Sequence, residues 1–242
     1  MGLLYVRPDE SFMFGTVTGT VDAEYDADWL IDGRGSRPVR NTTNLSLTAT
    51  APSARTVTLI AICNHNIAGT ITVGGQAIGP ATLGADGIYS NPYATVALGS
   101  QTSLALSCNG SPAIIGELYA GTSRTLERFQ LHTGAELEEA DPLTWEGDAS
   151  SIPPYDPGVA DARVLRGETL VSDTGLNDIR AWYRSTRRGT RPSLIVPIDT
   201  VNDAWLVTFT YRVELVRIHP STPGQSIHRV QFEFVELPRV RW

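Results

Sequence analysis

The chain has 242 residues, with 26 acidic and 19 basic side chains and a formal charge of −7, and every basic residue is Arg. That length holds one large β domain or two modest ones without staples, and the absence of any apolar run of about 18 residues excludes a transmembrane helix. The acidity is local: eight acids and no Arg fall within residues 134–162, leaving 18 acids against 19 Arg elsewhere and no basic stripe, which argues against nucleic acid as the main partner.

The start, Met1-Gly2-Leu3-Leu4-Tyr5-Val6-Arg7-Pro8, lacks the basic head and apolar core of a Sec signal, so export by that route is not expected. Residues 3–6 and 12–19 read as short strands separated by a turn at Pro8-Asp9-Glu10-Ser11. In residues 21–35 the acids Asp22, Glu24, Asp26 and Asp28 alternate as in a calcium loop, but the EF-hand pattern fails because its sixth position holds Ala27 where Gly is required. A calcium loop of another kind stays open beside a plainer reading. In that reading Asp26 caps one helical turn that brings Trp29 and Leu30 onto the core, and Asp32-Gly33 make a turn.

Residues 44–50 alternate Leu45, Leu47 and Ala49 with Ser46, Thr48 and Thr50, the pattern of a strand with one buried face. The run Val57-Thr58-Leu59-Ile60-Ala61-Ile62-Cys63 is apolar at nearly every position and predicts a strand buried on both faces. A polar turn, Asn64-His65-Asn66, a strand at 70–73 and a reversal at Gly74-Gly75 follow. Strands at 93–98, 103–108 and 113–120 complete a series spaced by about ten residues, which predicts an antiparallel β-sandwich or jelly roll over residues 1–133.

Residues 134–162, acidic and rich in Pro, Gly and Asp, read as an extended arm or linker. Residues 163–242 make a second β-rich part, with which residues 1–20 can pair. It holds a strand at 163–171 and one short amphipathic helix carrying Leu176, Ile179, Trp182 and Tyr183 on its apolar face, ended by Gly189. A buried strand at 193–198 precedes a long one at 205–218, hairpinned to 227–237 with a β-bulge where the alternation of Val230, Phe232 and Phe234 shifts to Val235 and Leu237. A strand of about 14 residues spans about 45 Å, more than a small domain needs. Pairing between subunits, and hence an oligomer, is expected.

No sequence pattern points to an enzyme, a cofactor or a metal: G-x-S-x-G, H-E-x-x-H, C-x-x-C, Walker and G-x-G-x-x-G motifs are all missing. His65 reads as a turn histidine that satisfies backbone groups rather than a base or ligand. Cys63 and Cys108, in apolar surroundings, read as buried free thiols rather than a disulfide. The best pair for glycoside hydrolysis is Glu146 and Asp148 beside Trp145, where solvated charge is the plainer reading. Trp29, Tyr89, Asn91 and Tyr93 offer the aromatic and amide groups of a sugar platform, against the alternative that the aromatics are core or interface.

Two stretches resemble known families. Trp29-Leu30-Ile31-Asp32-Gly33-Arg34-Gly35-Ser36-Arg37, followed by the strand ending Ala61-Ile62-Cys63-Asn64-His65-Asn66, resembles the galactose-binding-like jelly roll found in virion proteins. Residues 182–197 (WYRSTRRGTRPSLIVP), the long hairpin and the closing Phe232-Glu233-Phe234-Val235-Glu236-Leu237 resemble the belt region of distal tail proteins of tailed bacteriophages, although here the jelly roll precedes most of the belt-like part. The resemblance implies a structural component of the virion tail tip, assembled in the host cytoplasm as a homo-oligomeric ring, six-fold in that family. Such a ring connects the tail tube protein to baseplate hub or fibre proteins. In it the acidic arm, with Glu138 and Glu139, would meet Arg184, Arg187 and Arg188 of a neighbour, and Trp205 and Tyr211 on the long strand would add contacts. The alternative function is a carbohydrate-binding module that holds a host-surface glycan.

Overall fold

The computed structural model describes residues 2–34, 37–79, 81–84, 87–110, 112–131, 163–197, 203–217, 226–237 and 239. The arm expected at 134–162, with Glu138, Glu139, Trp145, Glu146 and Asp148, lies outside these residues. The strands are β1 (Leu3–Ser11), β2 (Thr16–Gly19), β3 (Val39–Asn41), β4 (Leu45–His65), β5 (Ile71–Val73), β6 (Gln76–Ile78), β7 (Tyr93–Cys108), β8 (Ala113–Leu126) and β9 (Gln130–Leu131). Then follow β10 (Val164–Ser172), the helix α1 (Asp173–Ser185), β11 (Ser193–Val196), β12 (Trp205–Arg217) and β13 (Ile227–Glu236). Among the described residues the fold is mainly β, antiparallel in its pairings, with a single short α-helix, as the sequence pattern predicts.

Among the described residues the strands form one sheet in the order β6-β5-β7-β4-β8-β1-β11-β12-β13-β10-β9, with β2 added on β4 and β3 on β8. β1 is the hinge of this order. Its residues Leu3 to Val6 pair with β8 on one side, while Leu4 to Val6 pair with β11 on the other.

Three apolar clusters follow. The first lies inside the strands of residues 1–120 and holds Leu30, Ile31, Leu45, Ile60, Ile62 and Leu118. The second lies under α1 and holds Tyr5, Trp182, Phe209, Phe232 and Phe234. The third joins the two lobes, with Val6, Leu59, Ala61, Cys63 and Tyr119 against Leu194, Val196, Ala204 and Leu206. Strand periodicity explains how β4 serves two of them: Ile60 and Ile62 face the first cluster, Leu59, Ala61 and Cys63 the third. The continuous apolar run is therefore buried on both faces.

Two local expectations are corrected. The turn expected at 8–11 is strand: β1 runs to Ser11, and Pro8-Asp9-Glu10, where Pro removes a ladder donor, form an irregularity between the Val6 and Ser11 pairings. The separate strands expected at 44–50 and 57–63 are one strand of 21 residues, because β7 continues to pair with it across irregularities between Thr50 and Arg55 and between Val57 and Leu59. The helical turn at Ala27–Ile31 is a 3-10 turn, and Asp26 caps it by accepting from the Asp28 N–H at 3.0 Å.

Candidate functional site

The four residues expected to form a sugar platform do not form one. Asn91 is buried and its polar groups are committed: its Oδ1 accepts from the Asn64 N–H at 2.9 Å, its Nδ2 donates to the Ala204 carbonyl at 2.9 Å and its N–H donates to Asp203 Oδ1 at 2.9 Å. Tyr89 is half-buried and stacks on the ring of His65, with centroids 5.7 Å apart. Tyr93 packs on the third cluster and Trp29 on the first. Trp29 sits on the 3-10 turn, Tyr93 starts β7, and Tyr89 and Asn91 lie in the segment before it, a separation that residue type alone does not reveal.

His65 is buried, and both ring nitrogens meet backbone. Nδ1 accepts from the Ile67 N–H at 3.0 Å, so Nε2 carries the proton that reaches the Ser90 carbonyl at 3.1 Å. Burial pulls the imidazole down to about 4, against the Ser90 carbonyl, which favours the charged form. It is a neutral structural histidine. Cys63 and Cys108 are free and buried, and burial pushes the Cys108 thiol up to about 11. Glu117 on β8 is fully buried; its Oε1 accepts from the Gly33 N–H at 3.2 Å and its Oε2 has no hydrogen-bond partner. Burial, then the nearby Asp32, pushes the Glu117 carboxyl well above its ordinary range, and burial raises Asp32 to about 6. Among the described residues no group of three or more His, Cys, Asp or Glu is placed to hold a metal ion.

A polar network that the sequence did not announce ties the lobes together near Asn91. Arg163 donates to both Glu236 oxygens and, at 3.0 Å, to Asp203 Oδ2, while Arg239 bridges Asp203 at 2.7 Å and Glu236 at 2.7 Å. Arg163 also lies 4.1 Å over the Trp205 ring. These residues are scattered along the chain, so no local pattern points to them.

The expected intersubunit residues separate into inner and outer sets. Trp205 is buried within the chain, 5 % exposed, in the second cluster, which corrects its placement as a contact between subunits. The reason is length: α1 covers the start of β12, where Phe209 meets Trp182 at 4.3 Å, and not its end. Tyr211, edge-on to Tyr183 at 5.1 Å, marks the border. Beyond it Val213, Leu215 and Val216 are 41 %, 51 % and 47 % exposed, beside Ile227 and, on β10, Leu170. Leu170 stands directly across from Arg229 and so shares a face with the charge ladder Glu168–Arg229–Glu214, while Val213 and Leu215 lie on the opposite face.

Arg184, Arg187 and Arg188 are exposed at and after the end of α1. Arg187 and Arg188 have φ of 49° and 60°, and Gly189 continues the left-handed run at 89°. Thr186 holds this turn: its Oγ1 accepts from the Gly189 N–H at 3.0 Å and its carbonyl from the Arg191 N–H at 2.8 Å. Beside it Arg188, Thr208, Thr210, Glu233 and Val235 line a depression of about 180 Å³, below the usual size of a small-molecule pocket. Near this turn lie Arg191, at the end of the Arg cluster expected from the sequence, and Phe14, Arg34 and Arg37, which sequence reading did not bring together with it. Only the density of Arg in two separate loops signals them.

No protein-family model and no curated protein matches the chain. Among solved structures, a His 62 mutant of the lectin binding domain of Lectinolysin complexed with Lewis b is similar over 46 % of this chain and 94 % of its own, at 10 % identity and TM-score 0.34. The domain CpGH89CBM32-4 produced by Clostridium perfringens is similar over 49 % of this chain and 100 % of its own, at 11 % identity and TM-score 0.35. Likeness at this level assigns neither family nor ligand.

Proposed function

We propose that the chain is a non-catalytic structural subunit of a phage tail tip, assembling through its second lobe into a homo-oligomeric ring that joins the tail tube protein to baseplate hub or fibre proteins. The observation that carries this reading is the far end of the β12–β13 hairpin. Val213 and Leu215 stand exposed on one face of that end and Ile227 on the other, with Val216 at the irregularity between the Leu215 and Arg217 pairings, where a protein acting alone would place polar side chains. Among the described residues β11 pairs only with residues 205–207 of β12, so the rest of that edge is open to strand pairing. Light scattering over a range of concentrations, followed by negative-stain imaging, tests the proposal. Closed rings that Leu215→Glu disperses are expected. A monomer at every concentration, indistinguishable from the variant, would refute assembly through the hairpin.

A second reading, capture of a host-surface glycan by the first lobe, is favoured by one observation. The half-buried rings of Tyr25 and Trp29 meet edge to face at 6.1 Å beside the Asp22–Arg40 ion pair, an aromatic surface next to polar groups. A glycan array probed with the native chain and with Trp29→Ala tests it; binding lost in the variant is expected, and equal signals or none would remove the reading.

A further inference from the structure

Two turns, one from each lobe, meet at the junction and carry five guanidinium groups: Arg34 and Arg37 after the 3-10 turn, and Arg187, Arg188 and Arg191 after α1. Packing brings the turns together, since a Cβ on Gly33 would stand 3.3 Å from Pro192 Cδ. Arg191 reaches back across the junction, its guanidinium 4.0 Å over the Phe14 ring, and Phe14 is tied to the 3-10 turn by its N–H on the Ile31 carbonyl at 2.9 Å.

The charges on this face are unbalanced. Among the described residues none of the five is in an ion pair, whereas Arg7, Arg40, Arg124, Arg163, Arg166, Arg229 and Arg239 are. The carboxylate on these turns is Asp32, half-buried and already accepting from the Arg34 N–H at 2.7 Å; Glu233, at the rim of the depression, holds Arg166 at 2.8 Å. Desolvation and Arg187 together lower the Arg191 guanidinium, a sign that like charges have been brought close. The backbone is unusual at the same place. Phe14, Arg187 and Arg188 are three of the non-glycine residues with left-handed φ, and the Thr186 hydrogen bonds fix the turn before anything binds.

We propose that this face is a docking site for an acidic peptide segment with closely spaced carboxylates, and that residues 134–162 of a second copy of the chain supply it. The occupant rests on the assembly reading above; the site itself does not. Charge complementarity carries the choice, because that segment holds eight carboxylates and no Arg. A guanidinium fork also pairs a carboxylate through two parallel bonds, which makes Arg the suited partner. A chain of that length reaches roughly 100 Å when extended, enough to span to a neighbour. The depression beside Arg188 holds about 180 Å³, too little to enclose a small ligand, whereas a peptide can lie across it.

The test uses the full chain and a fluorescein-labelled peptide of residues 134–162, followed by anisotropy at low and at physiological salt. It is run on the native chain and on a variant whose own eight acids in that segment are changed to Asn or Gln, which removes any competition from within. Saturable binding to that variant is expected. Salt should weaken it by about tenfold, and Arg187→Gln with Arg191→Gln, or separately Arg34→Gln with Arg37→Gln, by about fivefold to tenfold with melting unchanged. A peptide with all eight acids amidated should not bind. Equal binding of the amidated peptide, no loss in either Arg pair, or binding of a sulfated polysaccharide with none of the peptide would overturn the proposal. Peptide binding by a chain that light scattering finds monomeric keeps the site and sinks the assembly reading; rings without peptide binding do the reverse.

Discussion

His65 gives the most direct test of how burial is used in the junction. Its imidazole titrates near 4 in the folded chain against 6.5 for a free side chain, because it is 3 % exposed and its ring nitrogens face backbone groups. As pH falls below 6.5 the unfolded chain takes up a proton that the folded chain refuses, so stability is fully present above 6.5 and is lost on acidification. Each pH unit costs about 1.4 kcal/mol until the folded ring itself titrates, so moving from pH 8 to pH 5 should cost about 2 kcal/mol from this residue alone. Asp32 acts in the opposite direction, since its raised carboxyl gains stability as pH falls through about 6. The raw pH curve therefore mixes the two. The quantity to measure is the difference between the native chain and His65→Gln, by urea unfolding followed through Trp fluorescence at pH 8 and pH 5. The native chain should lose about 2 kcal/mol more than the variant over that interval. Equal losses would refute the reasoning.

Three further outcomes are expected. Trp182→Ala removes a fully buried ring stacked 3.9 Å from Tyr5 and the Nε1 donor to Ser193 Oγ at 2.7 Å, and should cost about 3–5 kcal/mol in urea unfolding. Asn91→Ala strands the Asn64 N–H and the Ala204 carbonyl at the lobe seam; a loss of about 2–4 kcal/mol in the same assay is expected, and a change within error would count against the seam as a structural element. Glu117→Gln replaces an acid whose raised carboxyl contributes stability at low pH and loses it as pH rises through its folded value, so the variant should gain on the native chain from pH 5 to pH 9, and parallel pH curves would contradict this.

Much of the local structure was legible because it depends on neighbours in sequence. The unbroken apolar run at 57–63 announced a strand buried on both faces, Asp26 announced a cap, and Leu176, Ile179 and Trp182 announced the buried side of α1. What failed depends on partners far along the chain. Alternation placed Trp205, Val207, Phe209, Tyr211, Val213 and Leu215 on one face, but it cannot say how far a helix covers that face. The inner three became core while the outer two stayed exposed. Asn91 looked like a ligand group by type, yet its polar groups are taken up by Asp203 and Ala204, more than a hundred positions away. The junction Arg groups were visible as two separate clusters, and only the pairing of β1 with both β8 and β11 makes them neighbours.

The position of β1 also sets an order of events during synthesis. Val6 accepts a hydrogen bond from Ser193 across a separation of 187 residues, so β1 leaves the ribosome long before its second neighbour, β11. At 5–20 residues per second that delay is about ten to forty seconds. During it the first lobe can close on β8 but must carry β1 with one side unpaired, and the third cluster, which needs Leu194, Ala204 and Leu206, stays open. The nascent chain thus holds a sticky strand edge for most of its birth. Slowing translation between residues 126 and 193, after β1 has paired with β8 and before β11 emerges, should therefore raise misassembly.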